Sequence, residues 1–287
     1  MMVAATFMWA TAGVVTRHLD AARGFEVTFW RSFFTVVSLL LILPAWQGRV
    51  VFARMRGAGW HLWVSGLCWS VMFTAFMVAL TLTTTANVLV TSALTPLFTA
   101  LAARVCIGQR LPRRTWVTIV VAGAGIAWMY AGKIEQGEWL GTLVALCVPL
   151  AAACNWTVQQ HGHAKGHDVD LVPAVLVGAL ISAGLTLPLA WPMDTSAHDL
   201  RLLAFLGLVQ LAIPCVLAVL CTRVLTAPEV ALLGLLEVVF GIALAWLGAG
   251  EVPAATTLSG GCVVIGALVF NGWLGWRSRH AAQAAAA

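Results

Sequence analysis

Apolar runs near the ~20 residues that a helix needs to cross a bilayer follow one another ten times along the chain, with short breaks of charged residues, Gly, Pro or Trp between them. They cover 2–16, 27–46, 60–82, 86–106, 115–131, 139–160, 171–191, 202–224, 229–247 and 258–276. Runs of this length predict helices, because a backbone N–H or C=O in lipid finds no partner outside its own segment. The links are short, and only the one near 47–59 has room for structure of its own, so no soluble domain is expected. The pattern predicts an all-α integral membrane protein of ten transmembrane helices.

The pattern also repeats. The stretch TANVLVTSALTPLFTALAARVCIGQRLP from Thr85 to Pro112 is echoed by TAPEVALLGLLEVVFGIALAWLGAGEVP from Thr226 to Pro253. Gly66, Thr85 and Ala86 match Gly207, Thr226 and Ala227 at a separation of 141. After a one-residue slip, Leu94, Phe98, Ala103 and Gly108 match Leu236, Phe240, Ala245 and Gly250 at 142. So many identities in one register indicate an internal duplication whose period is about half the chain. Five helices per half is an odd number, so the second half enters the membrane from the opposite side and the expected architecture is two inverted five-helix repeats, 1–131 and 139–287, joined by a periplasmic link at 132–138. Inverted repeats belong to secondary transporters, with the substrate site near the midplane between the halves.

Composition agrees with lipid as the main solvent: 9% of residues are charged and 61% hydrophobic, against roughly 25% and 45–50% in soluble domains, and the mean hydropathy is +0.93. The first run lacks the basic leader and cleavage site of a signal peptide and starts at the first residue, which leaves room for a short cytoplasmic leader ahead of this numbering. Eleven Lys and Arg fall in the segments on one side (Arg49, Arg54, Arg56, Arg104, Arg110, Arg113, Arg114, Lys165, Arg223, Arg277, Arg279) and four on the other (Arg17, Arg23, Lys133, Arg201). The positive-inside rule then puts both termini in the cytoplasm. It also explains the net charge of +5 without a nucleic-acid partner. Trp46, Trp60, Trp63, Trp139, Trp191 and Trp276 sit near run ends, where indoles favour headgroups. The seven cysteines show no C-x-x-C spacing and read as packing residues.

Within the runs, a few polar residues carry candidate chemistry. Asn87, Thr91, Thr95 and Thr99 recur at four-residue spacing beside Pro96. Such a stripe would line a wet pathway, with Pro96 freeing a carbonyl; alternatively the hydroxyls bond their own helix. Glu237, the position equivalent to Thr95, is the acidic residue deep in a span. A carboxylate there costs on the order of 2.5–3.5 kcal/mol and should face protein or water, to pair with a substrate amine, carry a proton, or bond a neighbouring helix. Trp9 and Trp156, with Asn155 beside it, sit inside the first helix of each half and would form an aromatic wall for a cation or a ring, or plain core. Gln210 and Pro214 would polarise the same cavity or kink a helix. Arg31 reads differently, as an arginine a turn inside the outer end that snorkels to the interface or pairs with Glu26.

Other patterns point away from chemistry. His161, His163, His167, Asp168 and Asp170 are metal-ligating types, but the run is interrupted by Gly in an inner link, and no metal is expected. Gly123-Ala-Gly125, with Ala127 continuing its small face, reads as helix packing rather than a dinucleotide fingerprint. No H-E-x-x-H, G-x-S-x-G or Walker pattern occurs, so neither catalytic residues nor a cofactor is expected.

At Leu94–Leu111, LTPLFTALAARVCIGQRL resembles the helix 4 signature of EamA-type members of the drug/metabolite transporter superfamily, an L-x-P-x-F-type core followed by G-E-R-L. LLEVVFGIALAWLGAGEVP resembles the helix 9 of that family, where L-E-P-V leads to G-E, and W-R-S-F at Trp30–Phe33 extends the likeness. Gln109 replaces the usual Glu, and Val238 replaces the proline after Glu237, which puts a symmetric helix break in question. The resemblance implies a ten-helix permease of the bacterial inner membrane, of a family in which many members export amino acids or other small metabolites. The expected substrate-binding residues are Trp9, Asn87, Thr91, Thr95, Pro96, Asn155, Trp156, Gln210 and Glu237. The expected partners are a small-molecule substrate and membrane lipid, with the chain a monomer or weak homodimer. The alternatives are an exporter of lipophilic cations and, from another class, a membrane-bound lipid-modifying enzyme.

Overall fold

The computed structural model describes residues 1–22, 24–83, 85–129, 139–164, 170–249 and 254–286, and among them every regular element is a helix. In chain order they are α1 (Met2–Val15), α2 (Gly24–Gln47), α3 (Val50–Gly57), α4 (Gly59–Leu82), α5 (Thr85–Ser92), α6 (Thr95–Cys106), α7 (Arg113–Met129), α8 (Trp139–Ala164), α9 (Pro173–Thr186), α10 (Ala197–Phe205), α11 (Ile213–Cys221), α12 (Ala227–Gly234), α13 (Leu236–Ala249) and α14 (Ala255–Ala286). Among the described residues, seven segments are long and apolar enough to cross a bilayer: Gly24–Gln47, Gly59–Leu82, Asn87–Cys106, Trp139–Gly162, Ala197–Cys221, Ala227–Leu244 and Ala255–Gly275. The runs at 2–16, 115–131 and 171–191 fall on helices of 14, 17 and 14 residues, about 21–26 Å long at ~1.5 Å per residue. Large apolar side chains such as Leu41, Val105, Val120 and Leu247 remain exposed, as lipid-facing positions of a multi-pass membrane protein do. Trp46, Trp60, Trp63, Trp139 and Trp191 are exposed near helix ends. The short helix α3 fills the 47–59 link, entered and left through Gly48 (φ 75°) and Gly59 (φ 65°). The proposed link at 132–138 lies outside the described residues.

The main pairings are α4 with α8 and α9, α1 with α11 and α13, α2 with α9 and the 206–212 segment, α6 with α8 and α12, and α7 with α14. Absent side chains allow the closest of these. A Cβ on Gly66 would lie 2.6 Å from Val177 Cγ1, one on Gly178 2.4 Å from Trp69 Cβ, and one on Gly207 2.5 Å from Phe34 Cβ. Gly66 and Gly207, the matched pair of the duplication, thus serve the same purpose in two different contacts. On α7 the packing face is Ala122, Gly125, Ile126 and Met129, at helical spacing, because Gly123 meets nothing within 4 Å and Ala127 is exposed. That corrects the expected 123–125–127 face.

Three spans are irregular at mid-depth. Pro96 cannot donate to the Ser92 carbonyl, and the Thr95 hydroxyl takes that place at 2.6 Å, between α5 and α6. Leu235 interrupts the echoed span with the i→i−3 bonds Leu235 N–H to Leu232 O and Val238 N–H to Leu235 O. A break in both halves therefore forms without the second proline. It places Glu237 in the first turn of α13, where the helix dipole favours a carboxylate. In the third span, residues Leu206–Ala212 widen into π-type turns. Pro214, four residues after Gln210, lacks the N–H that would meet the Gln210 carbonyl and crowds it with its ring.

Two polar ties close the ends. The buried carboxylate of Asp199 accepts the backbone N–H groups of Asp20, Ala21 and Ala22 at 2.8–2.9 Å, holding the α1–α2 link to α10. Asp170 accepts from Gln47 and from the Val172 N–H, and meets Arg223 at 3.3 Å. Asp170 is thus committed to structure; His163, His167 and Asp168 of the same run lie outside the described residues, as far as their side chains are concerned.

Gly178→Ala is expected to destabilise the protein by about 1–3 kcal/mol, since the added methyl must displace Trp69 or the Gly66 backbone. Gly184→Ala on the same helix, with nothing within 4 Å, should be neutral or slightly stabilising. Thermal unfolding in detergent checks both, and equal melting of the two variants would contradict this packing.

Candidate substrate cavity

The irregular spans surround a cavity of about 180 Å³ in the middle of the bundle. Trp9 comes from α1, Arg31 from α2, Trp69 and Phe73 from α4, and Ser92 and Thr95 from the two sides of the first break. Opposite them are Trp156 on α8, Gln210 in the widened turn, and Gly234 and Glu237 across the second break. Each polar group is delivered by a local departure from the α-helix or by a mid-helix position. The remaining wall is apolar, with Met2, Leu89, Val148, Leu211 and Val230 among it.

Five of the nine expected site residues, Trp9, Thr95, Trp156, Gln210 and Glu237, meet in this cavity. The others do not line it. The Asn87 amide donates to Thr83 Oγ1 (2.9 Å) and Thr142 Oγ1 (2.6 Å), joining α5 to α8. Thr91 is buried apart from the lining, and Pro96 is buried in the first turn of α6. Asn155 is fully buried, its Oδ1 accepting from Ser65 (2.6 Å) and Gln159 (3.1 Å). The polar stripe is therefore divided. The break at 93–94 separates Asn87 and Thr91 from Thr95, and Thr99 bonds back to the Thr95 carbonyl at 2.7 Å.

Arg31, Trp69 and Ser92 are cavity residues that the sequence reading did not select. Arg31 neither snorkels nor pairs with Glu26. It is 4% exposed, its Nη1 donates to Met77 Sδ at 3.2 Å, and Glu26 accepts from Thr195 instead. The W-R-S-F motif was the available signal. Arg31 and Glu237 line the same cavity, yet among the described residues neither is in an ion pair. Glu237 keeps part of its surface accessible. Four buried polar atoms of the lining have no hydrogen-bond partner among the described residues: Arg31 Nε, Trp69 Nε1, Ser92 Oγ and Gln210 Oε1. Left unmet, each costs about 1–3 kcal/mol. Trp69 meets Trp156 edge to face, with ring centroids 5.5 Å apart. The arrangement offers an aromatic wall, one cation, one carboxylate and a set of unmet hydrogen-bonding groups, and so is equipped to bind rather than to transform.

The model of the EamA-like transporter family matches residues 1–131 and 139–273. The chain belongs to the EamA-like transporter family. Its members fall in the drug/metabolite transporter superfamily, so this EamA protein is a membrane transporter, not an enzyme, and the lipid-modifying alternative is withdrawn. The pseudopaline exporter CntI of Pseudomonas aeruginosa strain UCBPP-PA14 is 24% identical over 277 residues, 94% of this chain and 93% of the relative. The protein of the same name from strain PAO1 matches to the same extent. A solved crystal structure, 16% identical, superposes with a TM-score of 0.81 over 96% of each chain, a likeness of fold.

In a cysteine-free background, Thr95→Cys should react with a water-soluble thiol reagent and be protected by substrate, whereas Thr91→Cys should stay unreactive. Similar labelling at both positions would contradict the divided stripe.

Proposed function

We propose that this EamA protein is a secondary transporter of the bacterial inner membrane that exports small zwitterionic metabolites, amino acids foremost, by alternating access. Glu237 carries the reading: a carboxylate in the first turn of a mid-membrane helix, accessible to an otherwise largely apolar cavity with indole walls. Such a group is retained where it meets a cationic partner, and a substrate ammonium between Glu237 and the faces of Trp9 or Trp156 supplies one. The size of the cavity favours a small metabolite. About 180 Å³ is room for roughly six waters at ~30 Å³ each and falls below the ~300–1,000 Å³ of drug-sized sites.

The helix pairings support two inverted repeats, 1–131 and 139–287, with the three shorter helices completing ten spans. Exchanging the first span with the sixth, the second with the seventh, and so on, turns α4–α8 into α1–α11, α6–α8 into α1–α13, and α4–α9 into the contact of α2 with 206–212; α2–α9, α6–α12 and α7–α14 map onto themselves. Rocking of one repeat against the other would open the central cavity to each side in turn. The charge distribution favours cytoplasmic termini, and the working unit in this reading is a monomer or weak homodimer. The relative's name favours outward movement. A second reading, export of a lipophilic cation, is favoured by the indoles and Phe73 in the wall.

The test is transport by the purified chain in liposomes, with a panel of labelled amino acids and with tetraphenylphosphonium. Amino acids should move, and Glu237→Gln should weaken their apparent affinity roughly 10- to 100-fold, the equivalent of one hydrogen-bonded charge at about 1.5–3 kcal/mol. Movement of tetraphenylphosphonium alone would overturn the zwitterion reading.

A further inference from the structure

We propose that Arg31 is the anion-recognition point of this cavity, so that the transported molecule is held as a dipole with its carboxylate on the guanidinium and its cationic group toward Glu237. The inference deepens the proposed function and rests on it. A guanidinium has five N–H donors. In Arg31, buried to 4% exposure, one of its nitrogens donates to a thioether sulfur, a weak acceptor, and Nε has no partner among the described residues. Its nearest acidic neighbour in sequence, Glu26, is engaged by Thr195.

Two further donors of the lining are also unmet, the indole N–H of Trp69 and the hydroxyl of Ser92, on helices other than that of Arg31. A planar fork, an indole N–H and a hydroxyl form a set suited to the oxygens of a carboxylate. Gln210 Oε1, the unmet acceptor, complements the ammonium. Both ends of the substrate are thereby specified. A purely cationic molecule would leave these donors unmet and bring its charge beside Arg31, while a purely anionic one would face Glu237. A zwitterion meets both charges without bringing net charge into the membrane interior, and the low local dielectric strengthens each contact.

The test is equilibrium binding to the purified full-length chain of three matched ligands, L-leucine, leucinamide and 4-methylpentanoate, and of the corresponding trio phenylalanine, phenylalaninamide and 3-phenylpropanoate. The amide and the deaminated acid of each trio should bind roughly 10- to 100-fold more weakly than the amino acid. Arg31→Gln should lower amino-acid affinity and abolish the preference for the amino acid over its amide, and Arg31→Lys should recover part of that preference. Amide and amino acid binding equally to the unaltered protein would overturn the role of Arg31 while leaving the pairing of Glu237 with an ammonium intact. Failure of every amino compound to bind would remove both. The ligand series on the unaltered protein decides the matter even if Arg31→Gln does not fold.

Discussion

A guanidinium and a carboxylate inside the bundle, lining one cavity and yet not joined, set the terms for the rest of the fold. Hydrocarbon offers neither of them a partner, and each is costly there by a few kcal/mol on insertion scales. They persist because Arg31 and Glu237 line a cavity rather than lipid. The bundle must enclose that cavity without collapsing the two charges onto each other. The aromatic residues between the helices, Trp69, Phe73 and Trp156, do so by bulk: packed edge to face or tilted at ring distances of 5.5 Å, they hold the walls apart.

The irregular backbone follows from the same requirement. Straight helices would turn their polar groups against their own carbonyls or a neighbour, as happens at Asn87, Thr99 and Asn155. Two mid-span breaks and one widened turn bring Ser92, Thr95, Gln210 and Glu237 to the cavity instead. Non-helical backbone at this depth is tolerable where it is covered by protein or lines water. The glycine contacts stabilise the surrounding frame, since Gly66, Gly178 and Gly207 let helices approach so closely that any Cβ would collide. A rigid frame around a polar, irregular centre suits a carrier in which bodies move and the site stays intact.

Much of this was legible in the sequence, for physical reasons that also mark the limits. Lipid enforces helices, so apolar length located the helices. A carboxylate or an indole in the middle of an apolar run has few places to go, so Glu237, Trp9 and Trp156 could be selected. Arg31 was missed because its side chain is long enough to reach the interface from where it starts, and only tertiary packing decides that it turns inward. Asn87 and Asn155 lie off the cavity because sequence position is blind to a neighbouring helix supplying Thr142 or Ser65. The break at Leu235 was in question because proline is a sufficient cause of a break, not a necessary one.

The account turns on a substrate carboxylate seated at Arg31, and the distance between them is directly measurable. Solid-state NMR on the protein in lipid, with ¹⁵N in the arginine guanidinium groups and ¹³C in the carboxylate of a bound, transported amino acid, reports that contact through dipolar recoupling, with Arg31→Lys assigning the signal. A charge-assisted pair with N···O of about 2.7–2.9 Å puts carbon and nitrogen within about 4 Å, so strong dephasing that disappears in Arg31→Lys is the predicted result. A saturated, transport-competent sample with no dephasing from Arg31 would contradict the account.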